Sequence, residues 1–133
     1  MSTDKRPDGQ SRLFPGSFLS SGISWLTKYT QDENIAYTFA VQQDGNLVLS
    51  KWIGDNPAVI LWSTQTNGSI ENPYHLDLQK DGNLVLYDYK DQSLWASNVT
   101  GFKPRSLDLQ EDGNVVLYDA DNKPRWATNT AGR

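Results

Sequence analysis

Gln79, Asp81, Asn83, Val85 and Tyr87 stand at alternate positions. They offer an amide, a carboxylate, a second amide, a small apolar group and a phenol. An ionised Asp only accepts hydrogen bonds, Asn and Gln donate and accept, and a Tyr hydroxyl does both at one oxygen. Neighbouring sugar hydroxyls need this mixture, because each of them both donates and accepts. A Val among these groups suits the C–H face of a sugar ring, so the five residues describe a pocket for one monosaccharide. The pattern returns complete as Gln110, Asp112, Asn114, Val116 and Tyr118. It returns once more as Gln42, Asp44, Asn46 and Val48, with Ser50 in the last place.

A purely structural reading explains one copy taken alone. Asp-Gly-Asn is ordinary turn chemistry, and Val and Tyr favour strands whatever their task. Three copies are harder to explain that way. Gln, Asp, Asn and Val stay fixed while the residue after the Gln changes from Gln43 to Lys80 to Glu111. A structural hairpin does not require its outer face to repeat.

The copies begin 37 and 31 residues apart, the mark of one structural unit built three times. In the second copy, a two-residue Asp-Gly loop would mix Leu and polar residues on one face. A three-residue loop pairs Gln79 with Asn83, Leu78 with Leu84, Asp77 with Val85 and Leu76 with Leu86. Cross-strand partners share a face, so only this register separates a Leu face from a polar one. Phe39, Val41, Leu47 and Leu49 sort together in the first copy, and Leu107, Leu109, Val115 and Leu117 in the third. The opposite faces carry the candidate binding residues.

Each hairpin is followed by a polar turn and a strand led by Trp62, Trp95 or Trp126. The interval from the last motif position to that Trp is 8 residues in the second and third copies and 12 in the first. The surplus reads as a longer loop from Lys51 to Pro57, carrying Trp52. Leu13 to Gly22 reads as a short strand interrupted by a Pro-Gly turn, Ile23 to Lys28 as a further strand, and Thr30 to Asn34 as a loop. These, with links between units, are expected to supply a fourth strand to each unit. The three Trp are expected to meet in one core. No stretch of helical period and length occurs, so the chain reads as all-β.

Composition narrows the function classes. The 133 residues are 37% hydrophobic and 21% charged, a folded single-domain balance. Net charge is −4 with no basic patch, which argues against nucleic acid as a partner. No apolar run approaches the roughly 20 residues of a membrane helix, so no membrane insertion is expected. With 0 Cys there is no disulfide framework. The polar residues 1–10 read as a flexible tail without a secretory signal. They point to a cytoplasmic chain, or to a secreted one if Met1 restarts a mature form. Asp44, Asp81 and Asp112 occur one per repeat, too far apart for a catalytic pair, and His75 reads as a lone surface strand residue. Asp81-Gly82-Asn83 lacks the further acidic ligands of a calcium loop. No enzyme, metal or cofactor is therefore expected. Asn67-Gly68-Ser69 and Asn98-Val99-Thr100 are glycosylation sequons that matter only in a secreted chain.

Gln-x-Asp-x-Asn-x-Val-x-Tyr resembles the signature of the mannose-binding lectins of the snowdrop, or bulb-type, family. Gln79 to Tyr87 and Gln110 to Tyr118 match it fully, and Gln42 to Ser50 matches except at its end. Trp95-Ala96-Ser97-Asn98, Trp126-Ala127-Thr128-Asn129-Thr130 and Leu13 to Gly22 resemble neighbouring family segments. The likeness covers residues 11–133, a bulb-type lectin domain with three internal repeats. It implies a β-prism II fold, three four-stranded antiparallel sheets around a pseudo-threefold axis, and metal-independent binding of mannose or mannose-containing glycans and glycoproteins. It assigns Asp81 and Asn83 to the axial 2-hydroxyl, Gln79 to the 3-hydroxyl, Tyr87 to the 4-hydroxyl and Val85 to the ring. Asp112, Asn114, Gln110, Tyr118 and Val116 take the same roles.

Departures from the family pattern mark the first copy. With Ser50 in place of Tyr, Gln42, Asp44, Asn46 and Val48 form a weaker or inactive site. The loop holding Trp52 would cover it or supply a new contact. Gly45 stands where many members begin a disulfide, so core packing must hold this chain. The resemblance also implies a homodimer formed by exchanging the C-terminal strand, here Arg125 to Thr130, with a self-contained monomer equally compatible. The competing reading is a protein-interaction or antibacterial, toxin-type module on the same fold.

Overall fold

The computed structural model describes residues 10–68 and 72–133. All but the last residue of the expected tail at 1–10, and Ser69 of the first sequon, lie outside the described residues. The described chain forms twelve strands and no helix: β1 (Arg12–Leu13), β2 (Phe18–Ser20), β3 (Trp25–Tyr29), β4 (Ile35–Val41), β5 (Leu47–Ile53), β6 (Val59–Ser63), β7 (His75–Leu78), β8 (Leu84–Tyr87), β9 (Ser93–Ala96), β10 (Pro104–Leu109), β11 (Val115–Asp119) and β12 (Pro124–Ala127). They assemble into three four-stranded antiparallel sheets, ordered β3-β4-β5-β6, β2-β7-β8-β9 and β1-β10-β11-β12. This is the β-prism II architecture.

The three-residue hairpin register holds in every repeat. Val41 faces Leu47, Leu78 faces Leu84 and Leu109 faces Val115. Leu76, Leu78, Leu84 and Leu86 are fully buried. A one-residue slip would turn all four outward, at about 1.5–3 kcal/mol for each.

The fourth strand of every sheet comes from one short stretch, residues 12–29, and links between units supply none. β1, β2 and β3 each join a different sheet, and each buries one Leu (Leu13, Leu19 and Leu26). The Pro15-Gly16 turn carries the chain from the third sheet to the second. Gly16 N–H donates to the Leu78 carbonyl at 2.8 Å. β12 hydrogen bonds to β11 of its own chain, so the segment expected to be exchangeable completes its own sheet here.

Two expectations about the Trp residues change. Trp62, Trp95 and Trp126 do not lead their strands but stand next to last in β6, β9 and β12. They do meet. Each pair of rings lies 5.6 Å apart in an edge-to-face arrangement, and all three remain partly exposed where they pack on the Leu core. Trp52 lies on no loop. β4 and β5 run on as a regular ladder, pairing Ala36 with Trp52 and Ile35 with Ile53, so the extra residues of the first repeat lengthen a hairpin.

The repeats are keyed together through their hairpin turns. Gly45, Gly82 and Gly113 each sit under an aromatic ring from another part of the chain. Tyr74, ahead of β7, covers Gly45; Phe102, ahead of β10, covers Gly82; Tyr37 of β4 covers Gly113. A Cβ at these glycines would come within 2.9, 2.6 and 2.9 Å of the ring, respectively. The contacts therefore run from the second repeat to the first, from the third to the second, and from the first to the third. Tyr74 packs where the resemblance would place one end of a disulfide.

Candidate functional site

Each candidate site begins in its hairpin loop. Gln79 N–H donates to the Asn83 carbonyl at 2.9 Å and Gly82 N–H to the Gln79 carbonyl at 3.0 Å. Asp81 turns one carboxylate oxygen back to accept Asn83 N–H at 2.9 Å. The same bond joins Asp44 to Asn46 at 3.0 Å and Asp112 to Asn114 at 2.9 Å. One oxygen of each Asp thus caps the turn, leaving the other to accept from outside.

The Asn side chains are held from the end of the adjacent strand, β9, β12 or β6. Asn83 Oδ1 accepts the Ser97 hydroxyl at 3.1 Å and Asn98 N–H at 3.0 Å. Asn114 Oδ1 accepts the Thr128 hydroxyl at 3.1 Å and Thr130 N–H at 3.2 Å. Asn46 Oδ1 does the same with Thr64 and Thr66, at 3.3 Å each. The hydroxyl oxygens in turn accept the N–H of Leu84, Val115 and Leu47. With the oxygen committed inward, each amide presents its NH2 group outward, purely as a donor.

The Gln and Tyr are joined as well. Gln79 Nε2 donates to Tyr87 Oη at 2.7 Å, and Gln110 Nε2 donates to Tyr118 Oη. Each phenol therefore has its own proton to give, and each Gln keeps its carbonyl oxygen as an acceptor. The second and third sites each present two acceptors, Asp and Gln, and two donors, Asn and Tyr. Val85 and Val116 lie between them, only 5% and 4% exposed. The outer face is thus less open than alternation suggests. Val48, Ser50, Ser106 and Asp108 on it are also buried.

The first site keeps the Asp44–Asn46 geometry and Val48 and loses the bonded Gln–Tyr pair. Ser50 is buried, and Gln42 is exposed with no side-chain hydrogen bond among the described residues. Trp52 shares this face and donates its indole N–H to the Thr38 hydroxyl at 2.9 Å. Thr38 lies directly opposite Ser50, so the indole sits against the place where a Tyr would stand.

The two complete sites differ in what surrounds them. Beside the second, His75 stacks on Tyr87 at 5.1 Å and 23°. His75 is thus a half-buried strand residue that supports the site, a role its isolation in the sequence did not suggest. Asp77 stands opposite Val85, and burial raises its carboxyl above the usual value; His75 opposes the rise and Asp91 adds to it. In the third site, Asp108 holds the corresponding place. It accepts the Ser106 hydroxyl at 2.6 Å and Arg105 at 3.0 Å, with Arg12 at 3.4 Å. The Arg105 guanidinium also lies over the Tyr118 ring at 4.8 Å. The Ser and Thr residues that orient the Asn amides, 14 to 18 positions downstream, were not among the expected site residues. Their signal was the hydroxyl residue two places after each recurring Trp.

Among the described residues, no group of three or more His, Cys, Asp or Glu gathers in a metal-binding arrangement. No family model matches the chain. Known proteins and structures do resemble it. A monomeric monocot mannose-binding lectin from Gastrodia elata is 37% identical, with a TM-score of 0.71 over 92% of this chain and 99% of that one. The mannose-specific snowdrop agglutinin (Galanthus nivalis), solved with methyl α-D-mannoside, is also 37% identical, with a TM-score of 0.66 over 91% and 97% of the two chains. A mannose-specific lectin of Narcissus pseudonarcissus is 48% identical over 75 residues, covering 56% of this chain and 51% of that protein. The chain spans about half the length of the curated relatives it matches first. These relatives are lectins, sugar-binding proteins rather than enzymes.

Proposed function

This chain belongs to the monocot mannose-binding lectin family, and from that premise we propose that it binds terminal mannose through its second and third sites. Gln79, Asp81, Asn83, Val85 and Tyr87 form one pocket, and Gln110, Asp112, Asn114, Val116 and Tyr118 the other. The observation that carries this reading is the fixed polarity of the outward-facing groups. An acceptor from Asp and a donor from Asn meet one hydroxyl, while Gln and Tyr meet its neighbours, with Val beneath the ring. An axial 2-hydroxyl brings its oxygen and its hydrogen within reach of both Asn and Asp.

Binding is metal-independent, because each pocket supplies one open carboxylate oxygen and balances it with neutral donors. A few solvent-competing hydrogen bonds give millimolar affinity for one mannose, about −4 kcal/mol. Useful strength comes from a branched glycan or glycoprotein engaging two sites together. The first site, without its phenol and with Trp52 beside Ser50, stays silent.

Titration with methyl α-mannoside tests the proposal. Binding at two sites, unchanged by a chelator and abolished in an Asn83→Ala plus Asn114→Ala variant, is the expected result. Binding that survives the double variant would overturn the assignment.

A further inference from the structure

The outer face of the first sheet is built unlike the other two. In the second and third sheets one row of this face pairs Asp77 with Val85, or Asp108 with Val116, and the next row carries Tyr87 or Tyr118. In the first sheet the positions of the Asp and the Tyr hold Ala40 and Ser50. The carboxylate and the phenol are both gone. The outer-face positions of β3, β4 and β5 carry no charged residue. Small side chains (Ala36, Thr38, Ala40, Val48 and Ser50) make a low floor across β4 and β5.

Two indoles bound that floor. Trp25 stands in the row of Ala40 and Trp52 in the row of Ala36, and they are 48% and 43% exposed. Four positions along the sheet and two strands across it separate them by roughly 16 Å, backbone to backbone. Trp52 is held by its indole N–H, which donates to the Thr38 hydroxyl at 2.9 Å. It is also a wall of a cavity of about 190 Å³ at the hairpin end, shared with Glu33, Asn34, Ala36, Gly54 and Asp55. An indole beside carboxylates and an amide suits a hydroxylated ring. The C–H face of the ring meets the indole, and the polar groups take its hydroxyl hydrogens.

We propose that this face binds an extended β-1,4-linked chain of neutral pyranoses, a ligand distinct from the mannosides of the second and third sites. In such a chain the linkages keep successive rings flat and expose their C–H faces along its length. That shape meets an uncharged floor bounded by two indoles, and each ring laid on an exposed indole buries apolar surface. Its hydroxyl edges meet Thr38 and the polar wall of the cavity. One pyranose cannot reach from Trp25 to Trp52, so the site requires an oligosaccharide. Glu33 and Asp55 at the hairpin end disfavour anionic chains. The changes that silence the first mannoside site, Ser50 in place of Tyr and Trp52 beside it, give the sheet another ligand. Gln42, Asp44 and Asn46 take no part, so the site stands independently of the mannoside reading.

The test titrates the chain with cellohexaose and with N-acetylated chitohexaose, holding methyl α-mannoside at saturation so that the second and third sites are filled. At least one hexamer should bind at one site per chain, shift the tryptophan fluorescence, and bind about tenfold more tightly than its dimer. The hexamer that binds identifies the sugar of the chain. Maltohexaose, whose α-linkages coil it, should not bind. Trp25→Ala and Trp52→Ala should each weaken the hexamer about tenfold and leave methyl α-mannoside binding unchanged. Trp25→Phe, which keeps a ring, should retain most of the affinity. Binding of neither hexamer, binding that both Trp→Ala variants leave unchanged, or equal binding of maltohexaose would overturn the proposal and leave the mannoside reading untouched. A dimer in solution that Trp25→Ala disperses, with no hexamer bound, would make the face an interface between copies and overturn it as well.

Discussion

Asn83, just before β8, and Ser97, just after the neighbouring β9, lie side by side, and the Ser97 hydroxyl donates to the Asn83 side-chain oxygen at 3.1 Å. That bond decides which end of the Asn83 amide faces outward. Ser97→Ala should therefore weaken methyl α-mannoside binding at the second site several-fold without touching the third. Titration of the variant in the Asn114→Ala background checks it. At the third site the hydroxyl is buried, and Thr128→Val should also lower stability by about 1–3 kcal/mol, read by denaturant melts.

Asn83→Asp is nearly isosteric but turns the outward donor into an acceptor beside Asp81. It should abolish binding at the second site, as Asn114→Asp should at the third. Each single variant should lower the calorimetric stoichiometry from two to one, with little change in melting temperature.

Ser50→Tyr alone should not revive the first site, because the Trp52 indole, tied to Thr38 at 2.9 Å, lies against that position. Ser50→Tyr with Trp52→Ser frees the space and gives Gln42 a phenol to bond. The double variant should raise the stoichiometry from two to three. A third site appearing with Ser50→Tyr alone would show that Trp52 does not obstruct it.

Two aspartates should respond to pH in opposite senses. Asp119 accepts Lys123 N–H, and against the opposing effect of burial that bond, the Arg125 guanidinium and Asp121 N–H hold its carboxyl below the ordinary value. Its contribution is complete above the unfolded value of about 3.9 and is lost as pH falls through the lower folded value. Asp77 is raised, chiefly by burial, so its protonated form favours the fold. Its contribution is complete below about 3.9 and is lost as pH rises through the raised value. Asp119→Asn should lower the melting temperature at pH 7, and Asp77→Asn should raise it. Both differences should shrink in acid, as followed by thermal melts across pH.

Gly82 has φ of +97° and the Phe102 ring over it, 2.6 Å from where a Cβ would sit. Gly82→Ala should cost about 1–2 kcal/mol from backbone conformation, with steric overlap in addition. Phe102→Leu should recover part of the second cost and none of the first. A double-mutant cycle in denaturant separates them.

Much of this molecule was legible in its residues because β structure alternates with period two. The Leu faces, the hairpin register and the recurring polar face follow from parity alone. Trp52 was misplaced because the longer first interval reads equally as loop or as strand, and only pairing with Ala36 decides it. The orientation of the Asn amides was invisible because it depends on hydroxyls 14 to 18 residues away, brought close only by the third strand of each unit. The contrast between Asp77 and Asp108 was hidden for a similar reason. Ser106 and Arg105 lie on Asp108's own strand, but its third partner, Arg12, reaches it only because β1 joins that sheet, which the residues of β1 do not show.

The aromatic-on-glycine contacts close on themselves, since Tyr74 covers Gly45, Phe102 covers Gly82 and Tyr37 covers Gly113. A closed cycle has no end at which a unit can be added or removed, unlike an open array of repeats. A fourth repeat would bring its own ring and its own glycine, but to enter it would have to open this cycle and the three-way contact of Trp62, Trp95 and Trp126. Valency is thus capped by the architecture, and new specificity has to come from editing a unit already present. Ser50 with Trp52, at the first site, is such a change in this chain.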